Sequence, residues 1–101
     1  MKKFDTPWSV GSMFLCSKCG AAFEKPEIAD KLKSELRLHL KNQDKHKKIR
    51  VMVTGCLNVC NRDEQTVMYQ PVSGTTEIFT IGKNLDDNLE ELKQILNKKL
   101  K

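Results

Sequence analysis

Four cysteines in two close pairs, each pair directly after an extended apolar segment, constrain this chain more than any other feature. Cys16-Ser17-Lys18-Cys19 puts two residues between its thiols, and Cys56-Leu57-Asn58-Val59-Cys60 puts three. The first pair follows residues 9–15, where Met13, Phe14 and Leu15 suit a sheet core. The second follows Ile49-Arg50-Val51-Met52-Val53-Thr54, whose branched residues at 49, 51 and 53 share one face while Met52 serves the other. A strand apolar on both faces belongs in a sheet interior. If the two strands run parallel, their ends meet at one sheet edge and the four sulfurs converge across a long sequence interval.

The intervening segments supply what such a sheet needs. Pro26 fits a first helical turn, where its missing donor costs nothing. Ile28, Leu32, Leu36 and Leu40 then recur every four residues, predicting a helix over residues 26–42 with one buried stripe. Residues 66–69 and 77–81 read as two further strands joined by a loop over 71–76. After Gly82, the residues Leu85, Leu89, Leu92, Leu96 and Leu100, with Ile95, mark a terminal helix. Asp86 and Asp87 near its start and Lys98 and Lys99 near its end complement the helix dipole. The order strand–helix–strand–strand–strand–helix fits a thioredoxin-like α/β fold: a four-stranded mixed sheet with two principal helices. Periodicity alone also accommodates other small α/β folds. Without a repeat or dividing linker, residues 1–101 read as one domain with flexible ends.

Size and charge narrow the function classes. A chain of 101 residues, 39% apolar, supports one core. A metal tying distant loops together would add much to its stability. No apolar run approaches the roughly 18 residues of a membrane span, and Met1–Trp8 resembles no secretory signal. The expected setting is therefore cytoplasmic, with reduced thiols available for metal. Lys and Arg exceed Asp and Glu by 18 to 13, so the chain attracts acidic surfaces. Trp8 and Tyr69, the sole Trp and Tyr, form no stacking series, which disfavours nucleic acid. Trp8 reads as a terminal residue packing over the core, and His39 and His46 as ordinary helix and surface residues. No Gly-rich phosphate loop or hydrolytic constellation is present.

Three chemistries suit the thiols. Four cysteinates complete the coordination of both irons in a [2Fe–2S] cluster, two per iron. Four thiolates equally satisfy structural zinc, and Cys16-x-x-Cys19-Gly20 looks like a zinc knuckle. Such a zinc module would bind partners, nucleic acid among them, without redox chemistry. Cys16 and Cys19 also have the spacing of a thiol–disulfide oxidoreductase, although Pro26 delays the helix that would stabilise a thiolate.

The chain also resembles the thioredoxin-like [2Fe–2S] ferredoxin family across about residues 10–100. Phe14-Leu15-Cys16, the segment from Val51 through Gly55-Cys56-Leu57-Asn58-Val59-Cys60, and Val67-Met68-Tyr69 leading to Pro71 carry the likeness. It departs from the family in the short Cys16–Cys19 interval and in Asn61-Arg62-Asp63-Glu64-Gln65, where a Gly-Pro step is common. The resemblance implies cluster ligands at Cys16, Cys19, Cys56 and Cys60. It also implies one-electron transfer as a non-catalytic carrier, and, as in many family members, a homodimer. The partner expected is a redox protein with an acidic docking surface, oriented by Lys18 and Arg62, which also tune the cluster.

Overall fold

The computed structural model describes residues 1–57 and 63–101. Strand β1 (Gly11–Cys16) leads through a short 3-10 turn (Gly20–Phe23) into helix α1 (Glu27–Asn42). Strands β2 (Ile49–Thr54), β3 (Gln65–Pro71) and β4 (Glu77–Ile81) follow, and helix α2 (Leu85–Lys99) closes the order. The sheet order is β2-β1-β3-β4. β1 and β2 are parallel, whereas β3 runs antiparallel to both β1 and β4. This is the four-stranded mixed sheet with two helices of a thioredoxin-like topology.

Local chemistry explains the elements. Pro26 caps α1 rather than entering it, so its missing N–H leaves no helical bond unmade. Asn84 caps α2, its side chain accepting from the Asp87 N–H at 3.0 Å. β1 starts and ends later than the sequence pattern indicates and takes in Cys16 itself. Ser9 and Val10 still hydrogen-bond to the Lys47 and Lys48 carbonyls, which lead the chain into the ladder. β3 is longer than expected at both ends, gaining Gln65 before it and Gln70 and Pro71 after it.

The leucine stripe of α1 and Leu92 and Leu96 of α2 pack into one core with Met13, Leu15, Val51, Val67 and Tyr69. Both helices therefore cover the same sheet face, since these strand residues alternate in phase. Arg37 ties α1 to the edge strand by donating from Nε to the Val51 carbonyl at 2.8 Å. At the other edge, Lys99 Nζ lies 4.8 Å from the Tyr69 ring centre and 2.7 Å from Glu77 Oε1. His39 has an ordinary structural role, bonding Gln43 at 2.7 Å and Asn97 at 3.2 Å between the two helices. Trp8 sits away from the helix-side core, beside Ser12, Gln70 and Arg50 at the far end of the opposite face. Among the described residues, no helix is long and apolar enough to cross a membrane.

Candidate dithiol site

β1 delivers Cys16 as its last residue, and the turn at Ser17 and Lys18 brings Cys19 back over it. Gly20 makes the reversal with φ +56°, a left-handed conformation that favours glycine. A Cβ there would lie 3.2 Å from the Gln65 backbone nitrogen, so the turn is also pressed against β3. The result is a sulfur pair: Cys19 Sγ donates to Cys16 Sγ at 3.0 Å, and neither thiol is in a disulfide. That separation is about 1 Å longer than a disulfide bond.

Side chains from β3 complete the pair. Cys19 Sγ is 3.3 Å from Thr66 Oγ1, and a single thiol hydrogen serves either this oxygen or Cys16 at one moment. Gln65, fully buried, donates from Nε2 to the Cys16 carbonyl at 2.8 Å and to the Thr66 carbonyl at 3.0 Å. Its amide thus anchors the end of β1 to the start of β3. Cys16 Sγ accepts the Lys18 backbone N–H at 3.4 Å and the Leu57 backbone N–H as well. Burial pushes the Cys16 thiol above its ordinary range, the hydrogen bond with Cys19 adds to that rise, and the two N–H donors oppose it. Both sulfurs are 0% exposed.

The second sequence pair is reached from β2. Cys16 is paired in parallel register with Thr54, and Cys56 stands exposed two residues beyond. The Leu57 N–H on Cys16 Sγ brings the backbone just beyond Cys56 to the first pair. Cys60 and Arg62 lie outside the described residues. Among the described residues, no set of three His, Cys, Asp or Glu side chains gathers to hold a metal ion. Lys18 is exposed, and its backbone rather than its side chain addresses the sulfur.

These contacts correct one expectation. A purely non-catalytic electron carrier does not describe a Cys-x-x-Cys turn whose sulfurs stand 3.0 Å apart as paired thiols. Such a pair has the elements of thiol–disulfide chemistry, which is catalytic in kind. The delayed helix is as expected: only the short 3-10 turn follows Cys19, and α1 begins at Glu27. The roles of Gln65 and Thr66 at the site were not foreseen: Thr66 was expected only as a strand residue and Gln65 as part of the loop before it. The one signal is their place just before Val67, once β3 is set antiparallel beside β1. No family model matches this chain, and no match was found among curated proteins or solved structures.

Proposed function

We propose that the protein is a thiol–disulfide oxidoreductase whose redox couple is Cys16 and Cys19. The observation that carries this reading is the 3.0 Å Sγ–Sγ approach within one turn. Little movement separates that geometry from a disulfide. Because both sulfurs are buried, an outside disulfide meets the exposed Cys56 first. The Cys56 thiolate attacks it, forming a mixed disulfide and releasing one substrate thiolate. Cys16, held to the same loop by the Leu57 N–H, attacks the Cys56 sulfur and releases the second. Cys19 then attacks Cys16, closing the Cys16–Cys19 disulfide and returning Cys56 to its thiolate. The substrate gains two electrons and two protons, and the protein pair loses them.

Reduced protein mixed with excess 2-hydroxyethyl disulfide tests the reading. Two thiols should be lost per chain, with the new disulfide mapped to Cys16 and Cys19. Cys56→Ser should slow the reaction while leaving its product unchanged. Retention of both Cys16 and Cys19 as thiols would reject the assignment.

A second reading is favoured by the β1–β2 register, which brings Cys56 to the end of the sheet that holds Cys16 and Cys19. Those three sulfurs, with Cys60, would hold a [2Fe–2S] cluster or zinc. A cluster would supply one-electron redox chemistry, and zinc a structural cross-link. The backbone N–H donors of Lys18 and Leu57 suit a thiolate ligand at Cys16 as well as a nucleophile. Iron, acid-labile sulfide and zinc measured together on anaerobically purified protein separate these cases. Stoichiometric metal on wild type, lost on Cys56→Ser, supports the metal centre; metal-free protein with a reversible disulfide supports the thiol enzyme.

A further inference from the structure

The sheet has a second face. Alternation along the strands sends every residue out of phase with Met13, Leu15 and Tyr69 away from both helices. On that face, register sets Met52 beside Phe14, Phe14 beside Met68, and Met68 beside Ile78. An unbroken apolar row therefore crosses all four strands, half-buried over the first three and 50% exposed at Ile78. The row next to it, one step along the strands, contains Cys16 and Thr66. The dithiol thus borders an apolar strip that neither helix covers. A continuous apolar strip left partly open to solvent fits an interaction site.

Charge identifies the occupant. Within β1–β4 no position on this face is Asp or Glu, and the nearest acid in the chain to its cysteine end is the half-buried bridge residue Glu64, just before β3. Its one ionised strand residue is Arg50, exposed on β2, and Lys47 joins Arg50 along the cleft at the Trp8 end. Lys18 stands exposed at the cysteine end. The only acid on β4, Glu77, lies on the helix side, paired with Lys99. By contrast, the cleft of about 370 Å³ beside Gly20 balances Lys25 and Lys83 against Glu24 and Asp63 and selects no charge.

We propose that this open sheet face is the docking surface for the disulfide-bearing partner, which presents an apolar patch rimmed by carboxylates. The proposal rests on the thiol–disulfide reading and names its substrate class: acidic protein disulfides. The apolar row holds the partner's patch, Arg50, Lys47 and Lys18 hold its acidic rim, and the disulfide comes to rest over the Cys16 end of the sheet.

Three probes test it in single-turnover reactions with the reduced full chain. These are 2-hydroxyethyl disulfide, a disulfide-bridged peptide with leucines flanked by glutamates, and the same peptide with lysines in place of the glutamates. The acidic peptide should react roughly tenfold faster than the basic one at low salt, with the advantage shrinking as ionic strength rises. Arg50→Glu should remove that preference, and Met68→Thr should slow both peptides. Each variant should reduce 2-hydroxyethyl disulfide at the wild-type rate, which also shows that it is folded. If the small disulfide fails to react with wild type, the thiol–disulfide reading itself falls. If it reacts but both peptides are reduced equally, and both variants behave as wild type, the docking surface is wrong. A concentration-dependent dimer in sedimentation, dissolved by Met68→Thr, would instead assign the face to a second copy of this chain and overturn the proposal.

Discussion

The two sides of the sheet use similar apolar residues for different ends. On the helix side, Leu32, Leu36, Leu40, Leu92 and Leu96 seal Met13, Leu15, Val67 and Tyr69 almost completely from water. On the other side, Phe14, Met52 and Met68 are only half-buried, and the adjoining row holds Cys16, against which Cys19 packs from the turn. The first face carries the folding free energy, since burial scales with apolar area removed from water. The second leaves apolar surface partly open to solvent beside a sulfur pair that is itself buried. The lesson is that alternation within β1 assigns stability to Met13 and Leu15 and chemistry to Cys16, a single residue further on.

That division can be broken from the helix side first. Leu36→Ala, at 0% exposure, leaves a cavity beneath α1 and should cost about 2–5 kcal/mol. Chemical denaturation measures it, and a loss well under that range would mean α1 can collapse into the gap. The surviving folded fraction should still form the Cys16–Cys19 disulfide.

Gln65→Leu probes the boundary between the two regions. It strips the Cys16 and Thr66 carbonyls of a buried donor, at an expected cost of about 1–3 kcal/mol. It should also change the equilibrium between dithiol and disulfide in a glutathione redox buffer, because the end of β1 loses its anchor. An unchanged equilibrium would limit Gln65 to folding.

The pH response follows from Cys16 in metal-free, reduced protein. Burial holds its thiol above the ordinary cysteine value, so the folded state keeps its proton where the unfolded chain begins to lose it. Stability from this group is therefore complete below that value and declines as pH rises through the folded pKa. Alkylation of Cys16 should likewise accelerate only on the alkaline side of an ordinary thiol. Rapid alkylation at neutral pH would show that the loop carrying Leu57 does not shield it.

The smallest effect belongs to the far edge. Lys99→Met removes an ion pair with Glu77 and a cation over the Tyr69 ring, both partly in solvent. A change of about 0.5–1 kcal/mol in thermal or chemical unfolding is expected, without effect on thiol exchange.

Much of the fold was legible because its signals are local. Alternation in Ile49–Thr54 and Glu77–Ile81 gave β2 and β4 with the bounds expected, and apolar residues three or four apart gave both helices. The cysteine spacing likewise marked the sulfur turn. What escaped depends on strand neighbours: Gln65 and Thr66 gain their roles only when β3 lies against β1. The open apolar row is equally non-local, since Phe14, Met52, Met68 and Ile78 come from four different strands. Spacing also could not say how near the two sulfurs stand, and that distance is what moves the reading from carrier toward enzyme.

The most direct test of the central claim is an equilibrium redox titration with peptide mapping of every cysteine. The account predicts one reversible two-electron transition in which Cys16 and Cys19 lose their thiols together. A chain in which those two stay reduced throughout, while other cysteines oxidise, would contradict it.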